Sequence, residues 1–203
     1  MRDTPLVKAY QPRDATLEPL EYHVSYGPPA VSGDCSVFVI PIREGWHNQL
    51  FPECDPDADS DQMALPGVAG PSTRPWGNAL RKAYLCNAST NQMQPGDAIL
   101  FYRSGFQTVS VVGITEITRR TSSPQEVLNL VGGRTVYSAS DIEQMAQHSS
   151  QILVILFRQD RIIDPEWTLA ELQAHQVLTA PPRTVTKVKE AGTQWVHQQL
   201  ADT

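Results

Sequence analysis

The sequence predicts one α+β domain built around a barrel-like sheet. Apolar runs rich in β-branched residues recur along the chain, and helix-start signals lie between them. No regular repeat is present, so we expect an irregular arrangement of strands and short helices. Gly113 interrupts one of the apolar runs, as is typical of a bulge or a close backbone approach where a barrel bends.

The composition suits a single domain. The 203 residues are 40% hydrophobic, enough for one buried core and too few for two full domains. No run approaches the roughly 18 consecutive apolar residues of a membrane span, and the N-terminus has no apolar segment typical of a secretion signal. The three cysteines, Cys35, Cys54 and Cys86, are widely spaced. This spacing favours free thiols in a reducing cytosol, so we expect a cytoplasmic protein.

The acidic residues are concentrated near the N-terminus. The net charge is −6, but residues 1–73 hold 4 Lys/Arg and 11 Asp/Glu, whereas residues 74–138 hold 7 and 3. The second part of the chain can therefore present a modestly positive face. Because the protein is not basic as a whole, any nucleic-acid binding should depend on a pocket more than on many phosphate contacts.

The first third of the chain contains one predicted strand between two irregular segments. Residues 1–33 are proline-rich and aperiodic, which predicts an extended lead-in or linker before a domain over residues 34–203. Cys35–Ile42 reads as the first strand. Residues 53–75 are predicted to form a long acidic loop, with five acids between Glu53 and Asp61.

A hairpin is predicted in the middle of the chain. A short helix is expected at Asn78–Cys86, followed by a turn at Gln94–Asp97. The strand Ala98–Ser104 then leads through Gly105 into a second strand, Thr108–Ile117. Two apolar strands joined by a short turn that contains glycine are typical of a hairpin.

Capping signals mark the helices of the second half. Ser123–Glu126 is a capping box with proline at the first helical position, and its helix should end at Gly132 and Gly133. Four further elements are predicted: a helix opened by a capping box at Ser140–Glu143, a central strand at Gln151–Arg158, a third helix beginning at Asp164-Pro165-Glu166, and a fourth over Lys189–Leu200.

Cations next to aromatic residues are the first candidates for ligand binding. Arg81 and Lys82 precede Tyr84, and Tyr102 and Arg103 end the first hairpin strand, just before Ser104. A cation beside a ring can neutralise a phosphate while the ring stacks on a base. The same pattern also fits surface arginines beside core tyrosines, so it leaves both interpretations open.

A glycine-initiated loop and a tryptophan are the other candidates. The segment Gly132–Ser138 places Arg134, Thr135 and Tyr137 close together, where a guanidinium and backbone N–H groups can meet a base edge or a phosphate. It fits equally well as a helix end followed by a helix cap. Trp46, which follows the first strand, can wall a base-sized slot or simply pack.

The sequence lacks the motifs of the common metal and nucleophile sites. The five histidines show no metal-ligand spacing, and P-loop, GxSxG and GxGxxG motifs are absent. We therefore expect no metal and no cofactor. A nucleophile pair of Cys86 and His47 has no local support.

Several stretches, taken in order, resemble the EVE/ASCH-like group of the PUA-like superfamily. They are GNALRKAYLCNAS, QPGDAILFYRS, VVGITEI, GGRTVYSASDIEQM, ILVILFR and PPRTVTKV, and they cover roughly residues 35–200. The most telling is the strand Pro95–Tyr102 with its leading Gly-Asp turn. The lead-in EYHVSYGPPAVSG looks like a linker to an acetyltransferase of the GNAT type, which implies a partner or fused enzyme of that kind.

The resemblance implies a pseudo-β-barrel with peripheral short helices and a groove that binds RNA or DNA, often discriminating a modified base. The matching positions are Tyr102, Arg103 and Ser104 at the strand end and Arg134, Thr135 and Tyr137 in the loop. Arg81 and Lys82 belong to the helix expected before the Gly-Asp strand. Some ASCH relatives are hydrolases that use a Lys and a Glu of a GxKxxxExR helix. Here Ala79 stands where the lysine is expected, and the glutamate is missing. The absence of this general acid/base pair disfavours the enzyme hypothesis.

The leading hypothesis is a nucleic-acid-binding module that reads a flipped or single-stranded base and forms no covalent bond with it. Tyr102, Tyr137 or Trp46 would stack on the base, Ser104 or Thr135 would read its edge, and Arg81, Lys82 and Arg103 would hold phosphates. One alternative is a small hydrolase of a modified nucleoside or amide that uses Glu116 or His47. Another is a protein-interaction module in which the acidic residues 53–61 bind a basic partner.

Overall fold

A computed structural model describes residues 35–54, 81–148 and 150–201 of the chain. The predicted lead-in over residues 1–33 and the acidic loop from residue 55 onward lie outside the described residues. The described strands are β1 (Val37–Ile42), β2 (Arg81–Cys86), β3 (Ala98–Arg103), β4 (Thr108–Thr121), β5 (Ile152–Thr168) and β6 (Thr186–Lys187). The α-helices are α1 (Glu44–Leu50), α2 (Pro124–Val131), α3 (Ala139–His148), α4 (Leu169–Ala174) and α5 (Glu190–Ala201), and a 3-10 turn covers Pro52–Cys54.

The strands form one mixed sheet in the order β2-β5-β4-β3-β1-β6. The pair β1 and β3 is parallel, and the other pairs are antiparallel. The predicted α+β class with peripheral short helices is therefore confirmed. The sheet is not closed into a complete barrel, because β2 and β6 are its two edges in the described part of the chain.

The sheet curls so that β1 approaches β2, although three strands separate them in the sheet order. The Tyr84 hydroxyl donates a hydrogen bond to the Pro41 carbonyl over 3.0 Å. Alternate residues of β1, β2, β3 and β5 point into the enclosed interior and form one apolar cluster that includes Phe38, Phe101 and Phe157. The interior is thus packed with both aromatic and aliphatic side chains.

Helices cover the outer face of the curled sheet at two places. Helices α4 and α5 pack on the outward residues of β1 and β3, around Tyr102 and Leu172. Helices α2 and α3 pack on the outward residues of β2 and β5, such as Leu85 and Val154. Strands whose alternate faces are both buried read as continuous apolar runs, which is why β3 and β5 stand out in the sequence.

Gly113 confirms the expected close approach. A Cβ at this position would lie 2.7 Å from Cδ2 of Phe157, and the register of β4 against β5 shifts between Val112 and Gly113. The glycine therefore allows β4 to bend over the aromatic interior.

The helix predicted at Asn78–Cys86 is wrong where the structure describes it, because Arg81–Cys86 is strand β2. Arginine, lysine, alanine and leucine are good helix formers. In the strand, however, successive side chains point to opposite faces of the sheet. Lys82 and Tyr84 face the interior, while Ala83 and Leu85 lie under α2 and α3. Pairing with β5 and burial on both faces outweigh the local helix preference.

The helix predicted to begin at Asp164-Pro165-Glu166 is also wrong. β5 continues to Thr168, which pairs with Thr108, and the register between Ile162 and Trp167 is bulged. Pro165 falls in that bulge, where it removes no ladder hydrogen bond. Helix α4 begins at Leu169, after a capping box of Thr168 and Glu171.

The other predicted helices are confirmed, with one shifted cap. The Ser123 side chain caps α2 by accepting from the Glu126 N–H, and Gly132 ends that helix with φ 53°. Helix α3 is capped by Ser138, whose hydroxyl accepts from the Asp141 N–H over 3.2 Å, and not by Ser140. Ser138 and Ser140 both fit the sequence signal of an N-cap, and in the structure Ser138 is the capping residue.

Candidate functional site

A cavity of about 290 Å³ opens where the curled sheet fails to close. We call this opening between β1 and β2 the seam. Four apolar residues wall the cavity: Ile40, Pro41, Ala88 and Val185. Five polar residues complete its lining: Tyr84, Cys86, Asn87, Arg183 and Thr184. No carboxylate lines this cavity among the residues that the structure describes.

Three aromatic rings form a row beside the seam. The Trp46 ring lies 4.6 Å from the Tyr137 ring, and Tyr137 lies 6.4 Å from Tyr84, measured between centroids. Tyr84 reaches the core, where its ring meets Phe101 at 6.0 Å. Trp46 and Tyr137 are half-buried, whereas Tyr84 is buried. The row therefore runs from the molecular surface into the core and leaves aromatic surface exposed at its outer end.

The loop between α2 and α3 is docked on the edge of β2. The Ala83 N–H donates to the Arg134 carbonyl over 2.8 Å, which continues the sheet by one hydrogen bond. Thr135 and Val136 are buried, and Arg134 is exposed. This docking places Tyr137 between Trp46 of α1 and Tyr84 of β2.

Several cations lie near the seam, together with the Asp141 carboxylate, whose charge acts on Tyr137. Arg183 lines the cavity, and Arg120 donates to the Ala88 carbonyl over 2.5 Å. The Arg43 charge acts on both Tyr84 and Tyr137. Within the described ranges, no ion pair involves Arg43, Arg134 or Arg183.

The tyrosine hydroxyls and the cysteine thiol of the seam are neutral at pH 7. Burial raises the pKa of Tyr84 and of Tyr137 above the ordinary tyrosine value, against a smaller opposing effect of Arg43. Burial likewise raises the pKa of the Cys86 thiol. At neutral pH the cavity therefore presents hydroxyl, thiol and amide groups to a ligand, with cations at its edge.

A second polar region lies between α1 and the sheet, at the end of β3, the start of β4 and the end of β5. The Arg103 guanidinium donates to both carboxylate oxygens of Glu44 and, over 2.6 Å, to Oε1 of Glu166. Thr108 donates to the other oxygen of Glu166. We call Arg103, Glu44, Glu166 and Thr108 the anchor network.

Two further buried polar groups lie next to the anchor network. Nε2 of His47 lies 2.7 Å from the Ser110 hydroxyl, and both residues are fully buried. Burial lowers the pKa of His47. Lys82 donates to the Leu50 carbonyl, lies 3.6 Å from the Glu53 carboxylate and sits over the Phe51 ring. Burial lowers the pKa of its ammonium group, and Glu53 partly offsets this effect.

The structure brings only part of the predicted site together. Trp46 and Tyr137 lie in the ring row that ends at Tyr84, and the Arg134 carbonyl bonds to the edge of β2, with Thr135 next in the chain. None of these four residues is among those that line the cavity. Three other predicted residues lie elsewhere: Tyr102 is buried on the outer face beneath α4 and α5, Arg103 belongs to the anchor network, and Ser104 is exposed in the β3–β4 turn. Arg81 and Arg158 both donate to Glu116, and Lys82 lies in the interior.

Several seam residues were not predicted. The sequence pattern marks Tyr84 only as a neighbour of Arg81 and Lys82. Arg43 precedes α1 and belongs to no motif that would indicate binding. The Cys86–Ala88 and Arg183–Val185 segments lie almost one hundred residues apart, so only the curl of the sheet brings them together. The stretch PPRTVTKV, which contains Arg183, was the one available signal.

The described residues contain neither a candidate metal site nor a helix that could span a membrane. No group of three or more His, Cys, Asp or Glu side chains there is placed to hold a metal ion. No helix in those ranges has the length and apolar character needed to cross a bilayer.

The fold and the seam define a PUA-like α+β domain, and comparisons with known proteins identify its family. The EVE domain model matches residues 68–199, more than half of the chain. The chain therefore belongs to the EVE domain family, as its sequence resemblance indicated. No curated protein sequence matches the chain.

Three solved structures of the ASCH protein from Zymomonas mobilis are similar in fold. The unmutated protein is 13% identical, with a TM-score of 0.54 over 80% of this chain and 94% of that chain. A serine-to-alanine mutant is 11% identical, with a TM-score of 0.58 over 82% and 97%. A tyrosine-to-phenylalanine mutant is 11% identical, with a TM-score of 0.56 over 80% and 96%. At this identity the similarity shows the fold alone.

Proposed function

We propose that the chain is a nucleic-acid-binding module that takes an unpaired or flipped base, including a modified base, into the seam. The observation that carries this proposal is the seam cavity itself, together with the partly exposed aromatic row and the cations beside it. Membership of the EVE domain family supports the same class of function.

The size and lining of the cavity favour one flat group. Its volume of about 290 Å³ lies at the lower end of the roughly 300–1,000 Å³ typical of small-molecule sites. A nucleobase has two apolar faces and a polar edge. The apolar walls suit the faces, and the amide of Asn87 and the hydroxyl of Thr184 suit the edge.

The aromatic row supplies a stacking surface next to the cavity. Trp46 and Tyr137 are half-buried, so their rings are held in place and still reach solvent. Stacking of a base on such a ring contributes about 1–3 kcal/mol. We assign stacking to these two residues. Tyr102 is buried on the opposite face of the sheet, so the proposal gives it no contact with the ligand.

The arginines near the seam suit phosphate groups. Arg43, Arg134 and Arg183 make no ion pair with any described residue, so binding a phosphate there breaks no described ion pair. Arg81 and Lys82 already contact carboxylates of this chain. A net charge of −6 makes tight non-specific binding unfavourable, so a local cluster of cations must suffice.

Binding is tested by fluorescence polarisation with short single- and double-stranded DNA and RNA, each with unmodified and modified bases, at two salt concentrations. We expect binding that depends on the base and persists when salt is added, because the cavity and the aromatic row contribute more than phosphate contacts. Weak binding that does not depend on the identity of the base and is lost when salt is added would overturn the proposal.

Replacing Trp46 tests whether the seam is the binding site. The Trp46→Ala variant should weaken binding by at least about tenfold, since one base–aromatic stack is lost. The matched control is Ile162→Ala, which removes another exposed apolar side chain, on β5, and should leave the Kd unchanged. Equal Kd values for Trp46→Ala and the native protein would place the ligand elsewhere.

The hydrolase alternative finds less support in the described residues. Glu116 is held between Arg81 and Arg158, and His47 is fully buried, so neither faces the seam cavity. Burial raises the pKa of the Cys54 thiol to about 12, which disfavours a thiolate nucleophile. Incubation with a panel of acylated cytidines distinguishes the two functions, because release of a product would favour the enzyme.

The protein-interaction alternative depends on the acidic residues 53–61, most of which lie outside the described part of the chain. Deleting residues 55–61 separates it from the proposed function. The deletion should leave oligonucleotide binding intact, since the seam lies on other segments. Loss of oligonucleotide binding would contradict this assignment.

A further inference from the structure

The short helix α1 depends on tertiary contacts for its position. It has seven residues, and its N-cap residue, Arg43, makes no side-chain capping hydrogen bond. An isolated helix of this length is unstable in water. Trp46, the outermost ring of the aromatic row, lies on this helix. The place of Trp46 beside the seam is therefore set by whatever holds α1.

Arg103 holds the first turn of α1. Its guanidinium makes a fork-shaped contact with both oxygens of the Glu44 carboxylate, the strongest geometry for such a pair. The Arg103 side chain is 9% exposed, compared with 32% for Glu44. The Phe106 ring lies 4.1 Å from the guanidinium carbon. The arginine is thus enclosed between a carboxylate and a ring, and its donors face the protein.

The same guanidinium ties α1 to the sheet. Its remaining contact is with Glu166 of β5 over 2.6 Å, and Glu166 accepts from Thr108 of β4. One side chain of β3 therefore connects α1 with β4 and β5. The rest of α1 is held on its buried side by His47, which contacts Ser110, and by Leu50 in the apolar interior.

We infer that Arg103 is a positioning residue for the seam: it holds Glu44, fixes the first turn of α1, and so sets Trp46 against Tyr137. The inference deepens the proposed function, since the effect on ligand binding depends on it. It differs from the sequence-based expectation that Arg103 contacts phosphate directly.

The two roles predict different salt dependence. An arginine that neutralises a phosphate contributes to counterion release, so its loss reduces the slope of log K against log salt by about 1. An arginine that acts through Trp46 leaves the slope unchanged while the Kd rises. The two roles also differ in coupling: a positioning role makes the effects of Arg103 and Trp46 substitutions non-additive.

The first measurement needs no ligand. Near-UV circular dichroism of each protein is compared with that of the same protein carrying Trp46→Phe, and the difference reports the Trp46 environment. We expect a clear Trp46 signal in the native background, a lost signal with Arg103→Met, and a reduced one with Glu44→Gln. The matched control is Arg119→Met, because Arg119 is 64% exposed and pairs with Glu126 of α2; it should retain the native signal.

The second measurement is the Kd for the best oligonucleotide at several salt concentrations. With Arg103→Met we expect about tenfold weaker binding, which corresponds to the loss of one base–aromatic stack. The slope of log K against log salt should stay unchanged. Adding Trp46→Ala to this variant should cause little further loss. Arg103→Lys should recover only part of the affinity, since a lysine cannot make the forked contact.

Each outcome decides between the two roles. An unchanged Trp46 signal in a folded Arg103→Met protein would overturn the inference, as would a salt slope reduced by about 1 with additive effects. If Arg103→Met does not fold, Glu44→Gln carries the test, because it removes the charge and one acceptor oxygen of the partner and keeps the arginine. Failure of the native protein to bind any oligonucleotide would overturn the proposed function, and the dichroism result would still decide the positioning role.

Discussion

The seam and the anchor network both contain arginines beside aromatic rings, yet the structure uses them differently. In the anchor network, Arg103 is buried, doubly paired with carboxylates and stacked on Phe106. At the seam, Arg183 lines a neutral cavity and has no ion-pair partner among the described residues. A cation beside an aromatic residue is therefore open to a ligand at the seam, whereas in the anchor network carboxylates of the same chain already occupy it.

The largest expected effect on stability comes from the anchor network. Arg103→Met should lower the free energy of unfolding by about 3 kcal/mol, because it leaves two partly buried carboxylates close together without a counter-charge. The matched seam variant, Arg183→Met, should change it by less than about 0.5 kcal/mol, as expected for an exposed side chain. Urea denaturation measures both. Equal losses in the two variants would contradict the proposed division between the regions.

A smaller effect is expected at the contact between β1 and β2. Tyr84→Phe removes the hydroxyl that bonds to the Pro41 carbonyl and should cost about 1 kcal/mol in thermal or urea unfolding. Since this bond bridges the unclosed edge, hydrogen exchange at Ile40 and Ile42 should also accelerate. Unchanged exchange would mean that other contacts hold the seam. Tyr102→Phe is the chemically matched control, because the buried Tyr102 hydroxyl has no hydrogen-bond partner among the described residues.

The smallest expected effect is the pH dependence of stability due to His47. Its pKa in the folded protein lies below 6.5 because burial disfavours the charged imidazole. As the pH falls below about 6.5, the unfolded chain takes up a proton before the folded chain does, so stability decreases. Above that pH the contribution of His47 is constant.

Chemical denaturation between pH 8 and pH 5 measures this dependence. His47→Gln should lower the overall stability and reduce the slope below pH 6.5. A slope that persists in His47→Gln would assign the pH dependence to another group.

Local sequence signals are sufficient for the elements whose final environment agrees with those signals. The apolar runs of β1, β3, β4 and β5 gave correct strands, Gly113 marked the close approach, and Ser123 with Gly132 bounded α2. In each case a short segment carries its own physical reason: an apolar run long enough for a buried strand, a missing Cβ or a capping hydroxyl. The ordered series of these segments also predicted the family correctly.

Contacts between distant segments select which polar residues meet. Arg81–Cys86 became a strand because β5 pairs with it, against the helix preference of its residues. Whether an arginine is buried with a carboxylate, like Arg103, or lines a cavity, like Arg183, depends on contacts between segments far apart in the chain. Local sequence does not encode these contacts, because the curl of the sheet brings the segments together.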